Sequence, residues 1–468
     1  MKKLNKCTII KPKRPVKVLQ FGSGNFLRGF VDWMIELMNE RSNFNGSVVI
    51  VQSHSPSIPR AFLEQDNLYH VWIQGYEKGQ IVNSHQLVTC IDRIINPKLD
   101  YGDFLTQAEN PALEFIISNT TESGIHFDSL DIPQDGQAPV TFPGMLTAFL
   151  YRRFLFFDGN KDKGLSIIPC ELIENNGLKL ELAIFEYIRL WDYPGEFRNW
   201  IAQSIDFHNS LVDRIVPGYP KKGIEELHQQ LGFRDELIVV AEPFHFWAIE
   251  GAEKLATRFP ATEAGLQVHF VNDLHPYRTR KVKILNGAHI AMVPLAMLQN
   301  ICTVKDAIED PEVGKIIHNM IFDEIIPSMD MPNNELVQFA NEVLDRFRNP
   351  FIRHELSSIA LNAISKFKVR VLPSILDYKN KMGKWPISMI QSFACLIIFY
   401  RGMYNDLTMP LKDDPIVLEI FKIQWGKDLE VNELLKNLLA EKSLWGEDLL
   451  LQEGLLESLE MEIIKRLN

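Results

Sequence analysis

Two rhythms of hydrophobic and polar positions divide the chain. Over roughly the first 275 residues, short apolar runs recur between longer mixed segments. Residues 16–21 (Val-Lys-Val-Leu-Gln-Phe) predict a strand that runs into Gly22-Ser23-Gly24 and then a helical pattern over 26–39. Further strands are predicted at 47–52, 114–118, 165–169, 237–241 and 267–271. Short buried-type runs alternating with helical segments predict a mostly parallel sheet with helices on both faces. From about Tyr277 the period changes to that of a helix, with apolar stripes at 281–300, 313–322, 334–347, 352–367, 389–400 and 431–468. The reading is an α/β, Rossmann-like doubly wound domain over 1–275, followed by a mostly α-helical domain over 276–468. Neither internal repeats nor low-complexity segments interrupt it.

Composition narrows the function classes. Of 468 residues, 46% are hydrophobic and 23% charged, with 26 Gly and 25 Pro, which excludes collagen-like and disordered chains. The 49 basic and 60 acidic residues leave a net charge of −11. That balance gives no general attraction for nucleic acid or anionic lipid, so neither is expected as a partner. Five scattered cysteines (Cys7, Cys90, Cys170, Cys302, Cys395) contain no C-x-x-C pair, which speaks against a disulfide framework and a structural zinc site. No apolar core of signal-peptide length follows Met1-Lys2-Lys3, and the apolar stretch 389–400, interrupted by Gln391 and Ser392, is too short to span a bilayer. A cytoplasmic protein is expected.

Candidate chemistry begins at the glycine turn. A G-x-G directly after a strand and opening a helix is the context of a dinucleotide site: Gly22 permits the tight turn and Gly24 lets backbone N–H groups approach a pyrophosphate. Leu27 stands where a third glycine is expected, and Gly29 comes two positions later. The same glycines also serve a plain strand–helix turn. The second strand ends Val51-Gln52-Ser53-His54 without the acid that holds a ribose, leaving Gln52 as the candidate; the nearest arginine is Arg60, which favours NAD over NADP. The segment 280–289 carries Lys281, Asn286 and His289. On a 3.6-residue helix these fall at about 0°, 140° and 80°, on one side, with Gly287 opposite. An ammonium, an amide and an imidazole converging on one cleft suit proton transfer to a carbonyl oxygen. Spacing alone equally allows two solvated lysines, a cap-like Asn and a core His.

Gly22-x-Gly24-Asn25-Phe26-x-Arg28-Gly29-Phe30, Ser118-Asn119-Thr120-Thr121-Glu122, Val212-Asp213-Arg214-Ile215, Glu242-Pro243-Phe244 and Lys281-x4-Asn286-x2-His289 occur in the order found in the polyol-specific long-chain dehydrogenases. The runs 21–36, 168–173, 281–294, 346–350 and 357–367 extend the likeness over most of the chain. The chain thus resembles the mannitol dehydrogenase family. The resemblance implies metal-independent hydride transfer between NAD and a sugar ketone or secondary alcohol, with Lys281 as general acid or base and Asn286 and His289 orienting the reacting oxygen. It places the cofactor at Gly22, Gly24, Asn25, Phe26, Gln52, Ser118, Thr120 and Glu122, although Thr120 or Thr121 equally suits a helix N-cap.

Lys366 matches a substrate-contacting lysine of the family. The arginine that mannitol-type members carry eight residues earlier is Ser358 here, which points to the uronate branch. A hexuronate carboxylate needs a cation, and Lys366, Arg348, Arg353 and Lys283 are candidates that also read as solvated charges. Asp213 and Asn176 are expected at substrate hydroxyls or at the Lys281 ammonium, with an Asp213–Arg214 pair as the alternative. The implied reaction is NADH-dependent reduction of D-tagaturonate to D-altronate in hexuronate breakdown. Its rivals are D-fructuronate to D-mannonate, another polyol 2-dehydrogenase activity, and a catalytically silent NAD-binding sensor. A zinc mechanism finds no support, since His245 and His269 are too far apart for a local ligand pair. The acidic stretch 453–462 reads as a solvated helix face.

Overall fold

Six parallel strands form the central sheet: β1 (Val16–Phe21), β2 (Ser47–Val51), β3 (Ile91–Ile95), β4 (Phe115–Ser118), β5 (Leu165–Pro169) and β6 (Ile205–Phe207). Their order is β3-β2-β1-β4-β5-β6, and each pairing is parallel. This is the doubly wound arrangement, whose strands are buried on both faces and read as continuous apolar runs. Accordingly β2, β4 and β5 are buried at every position. Alternate side chains feed two cores. Val18, Val48, Ile50 and Ile117 meet Met34, Ile35 and Met38 on one face. Leu19, Val49, Ile116 and Ile167 meet Met145, Phe149 and Ile184 on the other. Each such side chain contributes about 1.5–3 kcal/mol by burial.

The computed structural model describes residues 1–52, 55, 57–220, 222–251, 253–427 and 429–468. Ser53 and His54 lie outside the described residues. The chain divides into two compact units, Met1–Gln74 with Val82–Leu274, and Gly75–Ile81 with His275–Asn468.

Several predicted elements differ in detail. The helix expected over 26–39 breaks at Phe30 (φ −128°, ψ −74°) into α1 (Asn25–Gly29) and α2 (Val31–Arg41). The strands predicted at 237–241 and 267–271 exist but lie outside the central sheet. Val239–Ala241 joins a hairpin of Tyr69–Glu77 and Gln80–Val88, while Val268–Val271 joins Phe246–Glu250 and Ser210–Asp213. The hairpin turns at Lys78 and Gly79, both with positive φ (50° and 78°). At its tip the Lys78 N–H donates to Asp345 Oδ2 (2.6 Å), inside the second unit. After β5 the first unit continues into α3 (Asn176–Leu190).

Among the described residues, the stretch His275–Asn468 of the second unit is helical apart from one pair of two-residue strands, Met403–Tyr404 and Leu407–Thr408. The stripe 281–300 is not one regular helix: Lys281–Asn286 is π-helical and continues as α4 (Gly287–Met297). The stripe 334–347 becomes α5 (Asn333–Phe347). The stripe 352–367 is split by Asn362, in the left-handed region at φ 53°, into Leu356–Ile359 and α6 (Ala363–Arg370). The most apolar segment, Ile387–Phe399, is the buried helix packed on α4, where Ser392 Oγ donates to Ala291 O (2.8 Å). No helix among the described residues is long and apolar enough to cross a membrane.

Candidate active site

Strand order reverses between β1 and β4, and in open α/β sheets ligands bind outside the carboxyl ends at that point. Gly22 follows β1 with φ +123°, and its N–H donates to Val51 O (3.1 Å). A Cβ there would sit 3.0 Å from Asn119 O, so only glycine lets the two loops meet. Gly24 faces open space: a Cβ would find nothing within 4 Å, which leaves room for a phosphate against the backbone. Gly29 does the packing work of the missing third glycine, since a Cβ would lie 2.9 Å from Val216 Cγ1 and 3.0 Å from Val239 Cγ1. Arg28, buried between the rings of Phe62 and Tyr69, donates to Leu237 O and to Asn25 Oδ1 (2.6 Å). Burial pushes its pKa down. Asn25 is exposed, and Phe26 stacks on Phe30 (5.0 Å). Gln52, at the end of β2, is 9% exposed, and its buried Oε1 has no hydrogen-bond partner among the described residues. That acceptor suits a ribose hydroxyl.

The loop after β4 is organised by a residue the sequence reading passed over. Ser118 Oγ donates to Glu171 Oε2 (3.0 Å), while the Thr120 N–H and Oγ1 donate to Glu171 Oε1 (2.9 and 3.0 Å). Glu171 is buried, which pushes its pKa up, and these hydrogen bonds pull it back. No helix starts at Thr120 or Thr121, so the capping alternative fails; the next helix is capped by Thr141, whose hydroxyl accepts from the Gly144 N–H. Glu122 is exposed. Asn176 is 1% exposed. Its Nδ2 donates to Pro169 O, Glu171 O and Ser210 O (3.0–3.1 Å), and its Oδ1 accepts from the Gly177 and Ser210 N–H groups (2.9 Å). The amide is fully committed to the backbone. Asp213 is buried at the end of the strand that begins at Ser210. Arg214 donates to Glu242 O and Gly29 O and lies 4.0 Å from the Trp33 ring.

In the second unit the catalytic candidates sit where the helix widens. The Gly287 N–H reaches Val282 O, five residues back, and a Cβ on Gly287 would lie 3.1 Å from Arg370 O. The angles drawn for a 3.6-residue helix therefore do not hold for Lys281 and Asn286, which lie on the widened turn. Lys281, Asn286 and His289 are all half-buried. The His289 ring lies 4.3 Å from Phe347 and 5.1 Å from His354. Burial pushes the His354 pKa down.

Lys366 lies on α6, which packs against α4, and its ammonium donates to Ile359 O (3.0 Å). Partial burial and the Arg370 charge lower its pKa. Arg348 follows Phe347 at the end of α5, 3.9 Å from Asp345. Lys283 is paired with Asp377 (2.6 Å) and Arg353 with Glu355. Both ring nitrogens of His245 meet backbone groups, Pro243 O (3.0 Å) and the Gln267 N–H (3.1 Å). Among the described residues, no three or more His, Cys, Asp or Glu side chains are grouped to hold a metal ion.

A family model described as the mannitol dehydrogenase Rossmann domain matches residues 16–262, and one described as the mannitol dehydrogenase C-terminal domain matches 273–465. The chain belongs to the mannitol dehydrogenase family. It is an oxidoreductase with a nicotinamide-binding Rossmann domain and a largely helical C-terminal domain. Among curated relatives in the family, the altronate oxidoreductase of Bacillus subtilis (strain 168) is 47% identical over 451 residues, covering 96% of this chain and 92% of the relative. That of Bacteroides thetaiotaomicron is 42% identical (96% and 94% covered), and that of Escherichia coli O7:K1 is 41% identical over 462 residues (98% and 95%). Solved structures share the fold. A substrate-free D-sorbitol dehydrogenase superposes with TM-score 0.78 at 21% identity, covering 99% of this chain and 97% of that one. Pseudomonas fluorescens mannitol 2-dehydrogenase, in a ternary complex with NAD and D-mannitol, gives 0.63 at 20% identity (99% and 96%).

Proposed function

We propose that the chain catalyses NADH-dependent, metal-independent reduction of D-tagaturonate to D-altronate, with Lys281 as the proton donor. One observation carries the substrate: altronate oxidoreductases at 41–47% identity span 96–98% of the chain. The residues fit a dinucleotide, because Gly22 and Gly24 leave a cradle and Gln52 Oε1 is a buried acceptor without a hydrogen-bond partner among the described residues. A neutral Gln52, and an Arg60 turned to Glu64, favour NAD over NADP. When bound, the nicotinamide supplies the hydride. As negative charge grows on the ketone oxygen, the Lys281 ammonium delivers its proton there while Asn286 and His289 hold the oxygen. In oxidation the neutral amine takes the proton back.

Lys366 takes the substrate carboxylate, since its ammonium has a backbone carbonyl as its hydrogen-bonding partner whereas Lys283 and Arg353 are paired with acids. Arg348 stands next to the Phe347 ring that supports His289 and is the second candidate. Asp213 addresses substrate hydroxyls. Asn176, with its amide committed, braces the start of α3. Thr120 and Ser118, held by Glu171, shape the nicotinamide end. Five unpaired cysteines suit a reducing compartment, and we place the protein in the cytoplasm.

The test is loss of NADH absorbance with tagaturonate, fructuronate and fructose in parallel, each repeated with NADPH. Turnover with tagaturonate and NADH alone is expected. Preference for fructuronate overturns the substrate, and NADH binding without turnover on any of the three points to a sensor.

A further inference from the structure

Beneath the phosphate-binding turn lies a sealed polar cluster that the proposed chemistry does not use. Asp32 on α2, Gln20 on β1 and Tyr69 are each 0% exposed. Asp32 Oδ2 accepts from Gln20 Nε2 (3.3 Å) and lies 3.1 Å from the Tyr69 hydroxyl. Gln20 Nε2 also donates to the carbonyl of Gly22, the first glycine of the turn (3.1 Å), and the Tyr69 hydroxyl is 3.1 Å from Arg28 O. Asp32 therefore reaches the turn through one intervening amide.

Among Gln20, Asp32 and Tyr69, acceptors outnumber donors. The single Tyr69 proton has two acceptors at equal distance, Arg28 O and Asp32 Oδ2. Two further buried acceptors, Gln20 Oε1 and Asp32 Oδ1, have no hydrogen-bond partner among the described residues, although their side chains are already joined through their other atoms. Buried polar atoms are rarely left unpaired, and a carboxyl that keeps its proton is itself a donor. We propose that Asp32 is a neutral carboxylic acid that positions the Gly22 turn through Gln20, and that its ionisation loosens the protein's hold on the dinucleotide.

Charge and burial agree. Complete burial pushes the Asp32 pKa up to about 7, although hydrogen bonds from Gln20 and Tyr69 and the Arg28 charge pull it down. The groups that face it are few. Arg28 is the cation on α1. The Cys90 thiol, whose pKa is pushed well up by burial, donates to Asp32 O (3.4 Å). Glu36, one turn along α2, receives the Thr89 N–H and hydroxyl (2.7 and 2.8 Å) and lies 3.8 Å from Arg14. An ionised Asp32 adds a negative charge behind a turn that has to receive a pyrophosphate, and it removes the donor that completes the cluster. By linkage, NADH affinity falls as pH rises through the titration of Asp32, and binding above that pH takes up a proton. The proposal rests on the cofactor lying at the turn and not on the identity of the substrate.

Two measurements test it. The first is infrared difference spectroscopy of the protein without cofactor, wild type minus Asp32→Asn at pH 6, where a protonated-carboxyl band is expected. The second is the NADH dissociation constant from fluorescence titration between pH 6 and 9. In wild type it should weaken by up to about tenfold per pH unit above the Asp32 titration, and in Asp32→Asn it should stay level. If Asp32→Asn does not fold, Tyr69→Phe replaces it: losing a hydrogen bond that favours the ionised acid moves the midpoint to higher pH. Absence of the carboxyl band, an Asp32→Asn profile equal to wild type, or a Tyr69→Phe midpoint that does not move each overturns the proposal. A wild type that binds no NADH at any pH overturns the cofactor reading itself.

Discussion

At the scale of single residues, the proposed site separates groups assigned chemistry from groups assigned to hold them. Lys281→Ala should leave the NADH dissociation constant unchanged and lower kcat by about 10²–10⁴-fold, the usual contribution of a positioned acid or base; fluorescence titration and steady-state turnover check the two halves. Lys366→Ala removes a charged hydrogen bond worth about 1.5–3 kcal/mol, so KM for the ketouronate should rise about 10–100-fold with a smaller change in kcat, and Lys366→Arg should restore part of it. Because burial lowers the Lys366 pKa, KM should also climb at alkaline pH sooner than an ordinary lysine would dictate. The candidates Lys281, Asn286 and His289 stand out in the sequence because one short run carries all three. Glu171 was not: its meaning arises only when the loop after β4 meets the end of β5, some fifty residues along the chain. Asn176 reads as a polar candidate in any sequence, and only folding shows its amide filled by five backbone groups.

At the scale of elements, legibility followed burial. Strands covered on both faces advertise themselves as apolar runs, so β1 and β5 were placed to the residue. The strand Gln80–Val88 is mostly exposed and polar, so its run gives no such signal. The apolar stripes overrun the helices where one residue in the left-handed region ends a helix without changing the period, as Asn362, Gly446 and Gly454 do. The widened turn at Lys281–Asn286 was invisible to a rule that assumes 3.6 residues per turn. Packing is also close there. Gly287→Ala puts a methyl 3.1 Å from Arg370 O, a backbone atom that cannot rotate away. An overpacking cost of about 1–3 kcal/mol is expected in urea denaturation, together with a loss of kcat from displacement of the turn that carries Lys281 and Asn286 against α6. Normal stability and turnover together would show that the two helices tolerate a wider spacing.

At the scale of the whole molecule, stability should carry a pH signature from His245. Burial and the charges of Arg214 and Arg41 push its pKa down to about 4. The folded protein refuses a proton that the unfolded chain accepts near pH 6.5, so this contribution is complete above about 6.5 and is lost as pH falls toward 4, at most about 3 kcal/mol. Asp32 has the opposite sign: its raised pKa stabilises the fold at acid pH, and that stabilisation is lost as pH rises toward 7. Urea midpoints at pH 7 and 4.5 separate the two, because His245→Gln should show a smaller drop than wild type across that interval. The hairpin between Tyr69 and Val88 bears on how the chain can be divided. Its tip, 75–81, belongs to the second unit while the strands on either side belong to the first, so the polypeptide changes unit three times. No single cut yields both pieces whole: residues 275–468 expressed alone would leave Asp345 without the Lys78 N–H. A chimera that takes its first 274 residues from a relative also imports seven residues of that relative's second unit, and Asp345 then meets a loop with which it did not evolve.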